Sequence, residues 1–487
     1  MRFSRRRIVL FAVLIIAAVV VGWLALRPKP IVIEVGTDIQ AVVDQYPPNT
    51  TYLLRAGVHR GQSIEPKDGD TFIGEDHAIL NGALILADFT REDDLWIKTG
   101  VDLTPWYSGE CVEAFPGCSS AEDVFFDDVP LLRVTTQAEV VAGAWFIDYD
   151  TGTVYLADDP AEHVVEMSIT YYAFHGTASG VTIRNLIIEK YAGPGQVSAL
   201  NGTESTNWTV ENNTVRLNHG VGIGVGNGMR VLHNRIIRNG QLGVSGIGDN
   251  ILIEGNEIAF NNYANFNSGW EACGAKFVLT NNLVVRGNYV FGNNGPGLWT
   301  DIDNLNTTYE NNIVVSNASM GIFHEISYAA VIRGNTVKLN NASPVDWLYG
   351  AQILLSSSGS VDVSNNEVTV SAYGGNGIAI IQQDRGAGTH GDHLAANNYI
   401  HNNRVFHLGA GGMNGAAVDW TQGDFWAESS NRFDFNRYYV SDLLYPYWGW
   451  DNAARTWQDL QAQGQELNGT VTADIPTTAL LIPAFRR

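Results

Sequence analysis

Asn213-Thr-Val-Arg-Leu-Asn218-His-Gly-Val-Gly222-Ile223 is answered 21 residues later by Asn234-Arg-Ile-Ile-Arg-Asn239-Gly-Gln-Leu-Gly243-Val244. The leading Asn-x-(Ile/Val) triplet occurs at Asn185, Asn213, Asn234, Asn256, Asn288, Asn312, Asn335, Asn366 and Asn403, in steps of 28, 21, 22, 32, 24, 23, 31 and 37 residues. A second asparagine follows five positions on at Asn218, Asn239, Asn261, Asn293, Asn317 and Asn340. A Gly-apolar step then opens another apolar run, as at Gly222-Ile223, Gly243-Val244, Gly297-Leu298, Gly321-Ile322 and Gly377-Ile378. A period near 21 residues with short β-branched runs is too short for a helix pair. It fits one coil of a parallel β-solenoid, in which each coil gives its backbone bonds to the next. Asparagine tolerates the left-handed backbone of a tight corner, and its amide can bond along the solenoid axis. The asparagines are therefore structural. They set the register in which the other side chains can be placed.

The chain has 487 residues, 45% of them apolar, with 51 glycines and a charged fraction of 16%, which suits a large, turn-rich β protein. A net charge of −22 excludes nucleic acid as a partner, because no basic face is available to displace counterions. It also disfavours polyanionic glycans unless a cation intervenes.

Arg2, Arg5, Arg6 and Arg7 precede an uncharged run of 19 residues, Ile8 to Leu26. A helix of that length just spans a hydrocarbon core of roughly 30 Å. The arginine excess predicts a single-pass cell-membrane anchor in the lipid bilayer, with the N-terminus cytoplasmic and residues 31–487 extracytoplasmic. The rival is a cleaved signal peptide and a secreted protein. Cys111 and Cys118 bracket a six-residue Pro-Gly loop and are spaced for a disulfide in an oxidising compartment, which leaves Cys273 as a core filler.

The domain reading is a basic stub and anchor over 1–30, then an N-terminal cap and first coils over 31–87. The cap includes a short helix starting near Thr37 or Asp38. The pattern over 88–172 changes to an antiparallel β insertion, with a hairpin turning at Asp150–Gly152. Coils carrying the site follow over 173–417. A tail and cap over 418–487, helical near Thr456–Gln463, folds back along the solenoid and closes its end.

Three consecutive coils carry Gly274-Ala-Lys-Phe-Val, Gly297-Leu-Trp-Thr-Asp-Ile-Asp and Gly321-Ile-Phe-His-Glu-Ile-Ser. Strand alternation sends Ala275, Leu298, Ile322, Phe277, Thr300, His324, Ile302 and Ile326 inward. The outward columns are Lys276–Trp299–Phe323, Val278–Asp301–Glu325 and Thr280–Asp303–Ser327. Stacked strands lie about 4.7–4.9 Å apart, so Asp301 and Glu325 sit near the ~5–5.5 Å separation used by retaining glycosidases. Like charges this close drive their pKa values apart, leaving one acid and one carboxylate. The two longer coils place the loops Tyr263–Glu271 and Ser343–Gly350 on either side. These bring Tyr263, Phe266, Trp270 and Glu271 from one side and Asp346, Trp347 and Tyr349 from the other. Aromatic faces beside carboxylates offer a sugar ring a flat apolar surface and hydroxyl acceptors. His324 reads as a core histidine, and Arg385, His390, Asp392 and His393 in a later loop are additional candidates.

Across about 180–410 the coil pattern resembles the right-handed parallel β-helix proteins of the pectate-lyase-like superfamily. Gly-Leu-Trp-Thr-Asp (297–301) and Phe-His-Glu-Ile (323–326) are similar to β-helix glycoside hydrolases of the β-xylosidase type. That resemblance implies Asp301 as nucleophile, Glu325 as acid/base and Glu271 as a supporting carboxylate. The expectation is thus a membrane-anchored, cofactor-free retaining glycoside hydrolase for a neutral poly- or oligosaccharide. Trp299, Lys276, Glu271, Phe323, Asp303, Trp270, Trp347 and Tyr349 would surround the sugar. One rival is a polysaccharide lyase or C5-epimerase, with Ca²⁺ on Asp301, Asp303 and Glu325 and Lys276 removing the proton α to a uronate. Another is a non-catalytic glycan-binding or cell-envelope protein using the same groove.

Overall fold

The computed structural model describes residues 29–345, 347–419 and 425–485, and the chain winds through them as a right-handed parallel β-helix. The anchor expected at 8–26, and Asp346, lie outside the described residues. No helix among the described residues is long and apolar enough to cross a membrane.

Each coil contributes strands to three stacks. Val221–Val225, Arg230–Leu232 and Arg235–Ile237 pair in parallel with Leu242–Asp249, Leu252–Glu254 and Glu257–Ala259 of the next coil. Inward positions align into a dry column, Ile223–Val244–Ala275–Leu298–Ile322–Ile353–Ile378, at the centre of the core.

The corners are held by asparagine amides. From Asn213 onward, the backbone N–H and Nδ2 of each asparagine both donate to Oδ1 of the next, through Asn234, Asn256, Asn288 and Asn312. The row continues through Asn335, Asn366 and Asn403 to Asn436. Asn185 is not in this column. Ile187 pairs with Thr214, so Leu186 stands opposite Asn213 and donates its N–H to that Oδ1 at 3.0 Å. Asn185 instead matches Asn212, and both take the left-handed corner conformation, at φ 59° and 56°. Two asparagine-tolerant positions lie side by side there, which is why the triplet slipped by one.

A second row runs from Asn218 through Asn239, Asn261, Asn293, Asn317 and Asn340 to the Gln352 side chain. It explains the Gly-apolar step. A Cβ at Gly222, Gly243, Gly274, Gly297 or Gly321 would lie 2.7–2.9 Å from an Nδ2 of this row, so only glycine can follow it.

Thr71–Gly74 and Ala78–Asn81 pair directly with Thr182–Arg184 and Ile187–Glu189, so the chain between leaves the solenoid between two coils. It forms antiparallel sheets, including the hairpin Ala144–Asp148/Thr153–Leu156, over a separate core around Trp145, Val154 and Met167. At the N-terminal end, helix Ile39–Gln45, N-capped by Asp38, presses Ile39 and Val43 onto the first coil and hides its open edge. At the other end Arg432–Asp434 and Arg437–Tyr439 add a coil, and helix Trp457–Ala462 places Trp457 and Leu460 on it. Beyond Thr470–Thr472 the chain runs back over the outer face, where Lys338 donates to the carbonyls of Ala479 and Leu481 at 3.1 and 2.8 Å.

Candidate active site

The site stands on three successive strands, Cys273–Asn281, Leu298–Asp301 and Ile322–Glu325. Lys276, Trp299 and Phe323 pair in register on the outward face, with Val278 opposite Asp301 in the next column. Trp299 stacks on Phe323 with ring centroids 5.4 Å apart, and the Lys276 ammonium lies 3.6 Å from the Trp299 ring centroid. The indole is therefore buried between a cation and a second ring. Trp299 and Phe323 make a floor rather than the open stacking face expected of them.

Lys276 Nζ donates to Asp301 Oδ2 and to Glu271 Oε1, each at 2.8 Å. Burial works against its charge, but the two carboxylates outweigh that, and its pKa is raised. Asp301 Oδ1 is also buried, and it has no hydrogen-bond partner among the described residues. On the next coil, Glu325 Oε2 accepts from the indole Nε1 of Trp299 at 3.2 Å, and Oε1 accepts from Arg385 at 2.5 Å. Burial, reinforced by the Asp301 charge, raises the Glu325 pKa against the pull of Arg385. Glu271 is raised as well, chiefly by burial, with Lys276 opposing.

The remaining expected residues divide. Trp270 lends its carbonyl to Lys276 at 3.5 Å, while its ring packs with Phe266 and Cys111. Phe266 is fully buried, and the Tyr263 hydroxyl donates to Asp123 of the insertion at 2.7 Å, so neither forms an open wall of the site. A Cys111–Cys118 disulfide closes the loop that braces this segment, through Asn267 N–H to Glu110 O at 2.8 Å and Val112 N–H to Asn265 O at 3.0 Å. On the other side Trp347 is partly buried against the aromatic floor, and Tyr349 bonds to Asp419 and Gln383. Asp419 and Gln383 carry no signal in the repeat and were missed.

Asp303, expected on the same outward face as Asp301 in the column Thr280–Asp303–Ser327, does not lie there. Ile302 and Asp303 take left-handed φ values of 62° and 56°, which ends the strand alternation. Ile302, expected inside, turns out to solvent at 41% exposure. Asp303 turns aside and accepts from Thr389 N–H and Oγ1 at 2.8 and 2.7 Å and from His393 Nε2 at 2.8 Å. Burial alone would raise its pKa, but these bonds bring it down to about 2. Thr280 and Ser327, expected outward beside it, are buried and joined through Asn304 in a third internal polar row. Among the described residues no group of three His, Cys, Asp or Glu side chains is disposed to hold a metal; Asp301 is engaged by Lys276, Asp303 by Thr389 and His393, and Glu325 by Trp299 and Arg385. His324 lies fully inside, bonded to Thr300 Oγ1 at 2.7 Å, and burial lowers its pKa to about 3.

Residues 198–368 match the family described as the right handed beta helix region. Among solved structures, the complex of XylC with xylose is 15% identical and superposes with a TM-score of 0.66, over 90% of this chain and 83% of that one. A glycoside hydrolase matches with a TM-score of 0.42 at 10% identity, over 78% of this chain and 91% of its own. The Azotobacter vinelandii mannuronan C-5 epimerase AlgE4 A-module matches at 0.46 and 13% identity, over 89% and 95%. No curated protein sequence matches. At this identity the likeness to XylC establishes the fold, a right-handed parallel β-helix.

Proposed function

We propose that the chain is a carbohydrate-active enzyme, a glycoside hydrolase acting on a neutral glycan with retention. Asp301 is the nucleophile and Glu325 the acid/base. One observation carries this reading: Asp301 has one oxygen fixed by Lys276 and the other buried and uncommitted, one coil from a second carboxyl with a raised pKa. A buried acceptor without a partner costs stability of roughly 1–3 kcal/mol and calls for an explanation, of which a catalytic role is one. The Lys276 ammonium, 2.8 Å from Oδ2, fixes the orientation of Asp301. Glu325, raised by burial, is the group suited to give a proton to a leaving oxygen. The xylose held by XylC makes pentosides the first substrates to try.

The lyase and epimerase reading keeps Lys276 beside Asp301 as its support, yet a lysine held protonated by two carboxylates is a poor proton acceptor. A panel of neutral aryl glycosides and uronate polymers, assayed with and without chelator, tests the assignment. New reducing ends that persist in chelator support hydrolysis. Unsaturated, UV-absorbing products that chelator abolishes would replace it with elimination. We also propose that 8–26 tethers the enzyme to the cell membrane. Full protection of the large domain when protease is added to intact cells would refute that.

A further inference from the structure

We propose that residues 383–393 form a clamp, fastened at Asp303, which delivers Arg385 to Glu325, and that Asp303 is a positioning residue acting through that arginine. This rests on Glu325 being the acid/base. Arg385 lies 60 residues beyond Glu325, yet its guanidinium reaches Oε1 and also bonds Gln383 Oε1 at 3.3 Å. The backbone that holds it is tied back at several points. His393 N–H donates to Gly386 O at 2.9 Å, and His393 Nδ1 lies 3.3 Å from Arg385 O. Asp303 takes the other ring nitrogen of His393 and both donors of Thr389, so both of its oxygens are spent on this one loop. Tyr328, against whose ring His390 and His393 lie, closes the far side by donating to Gly391 O at 2.7 Å. A Cβ at Gly388 would collide with Asp303 Oδ1, so the loop can approach only as glycine.

The loop is otherwise exposed, and Asp303, with Tyr328, ties its outer part to the coils. The charged groups bearing on Glu325 are Asp301, Lys276 and Arg385, with the Tyr349 hydroxyl nearby; Asp384 and Asp392 lie on the clamp itself. Freeing the clamp withdraws the one cation among the described residues that touches Glu325 directly. Glu325 then holds its proton to higher pH.

The test uses the full chain with Asp303→Asn, Arg385→Gln and the double variant, on a glycoside the enzyme hydrolyses whose leaving group must be protonated. The basic limb of kcat/KM marks loss of the acid's proton. Each single variant should move that limb upward by about one pH unit. Each should also lower kcat/KM about ten- to a hundredfold through misplacement. The double variant should add nothing further. An Asp303→Asn enzyme that melts lower while its limb stays in place would overturn the proposal, as would additive shifts. Should Asp303→Asn not fold, Thr389→Val, which removes one of the ties, should give a smaller shift in the same direction. ¹³C-carboxyl NMR of glutamate-labelled protein, with the Glu325 signal assigned by its loss in Glu325→Gln, reads the same titration without turnover. If that signal follows Asp303→Asn while Glu325→Gln still hydrolyses all substrates normally, the clamp stands and the acid/base assignment falls.

Discussion

Lys190 and Lys276 are both ammonium groups taken out of water and held by two carboxylates, and only the second belongs to the proposed site. Lys190 bonds Asp128 and Glu166 of the insertion. Glu166 also takes Arg60 at 2.5 Å and Asn81 at 3.3 Å, and Asn81 passes the network to Glu189, which takes Arg216. The cluster joins the insertion to four successive coils and rivets one to the other. Around Lys276 the same chemistry leaves something over: an unpartnered oxygen on Asp301 and a second acid beside it. Counting charges would rank the Lys190 cluster higher. What separates the proposed site from the Lys190 cluster is the bonding capacity left unused.

The largest expected difference is in turnover. Asp301→Asn should cut kcat by about 10⁴-fold or more while leaving the melting temperature close to wild type. A comparable loss from a Lys190 variant would erase the contrast. Glu325→Gln should cost about 10²–10⁴-fold on substrates whose leaving group must be protonated, and far less on activated aryl glycosides. Equal losses on both would remove the acid/base role. Lys190→Met takes one cation from the buried Glu166, which keeps Arg60, while Asp128 is exposed; chemical denaturation should show it roughly 3 kcal/mol less stable, the low end for a broken buried pair, with kcat per folded molecule unchanged.

Glu466 supplies a buried acid remote from both lysines. Burial raises its pKa to about 7 against the bonds from Asn436 and Tyr438. A folded value above the unfolded one means stability is fully present below about 4.5 and is lost as pH rises through about 7. The loss should be on the order of 3 kcal/mol, and the slope should vanish in Glu466→Gln. A flat wild-type profile would show the group is not held neutral. Smallest is Asn312→Ala, which breaks one rung of the ladder and should cost roughly 1–3 kcal/mol without changing kcat.

Much of this was legible in the repeat. The triplets gave the coil, and the coil offset put Lys276, Trp299 and Phe323 in one column and Asp301 and Glu325 in the next. The register failed where the backbone left the strand. Two consecutive left-handed residues, Ile302 and Asp303, reverse the alternation, and nothing in an Ile-Asp pair announces that. Periodicity also says nothing about where a long loop returns. Arg385 was visible as a charged residue in a loop, but its path back to Glu325 is set by a tie to Asp303 made in three dimensions. Gln383 and Asp419 were invisible for the same reason.

The asparagine row has a direction. Every rung gives two N–H groups to the oxygen of the next coil, so each coil presents the following one with donors in want of an acceptor. At the N-terminal end the row starts cheaply, with the backbone N–H of Leu186 on Asn213. At the other end Asn436 must give both its donors to something that calls for no further coil. A carboxyl group brings two oxygens and at most one hydrogen, an amide one oxygen and two hydrogens, and Glu466 takes Asn436 Nδ2 at 2.6 Å and its N–H at 3.3 Å. Asparagine at that place would offer two more donors and call for another coil. Glu466 is the full stop of a sentence that can be read only from N to C.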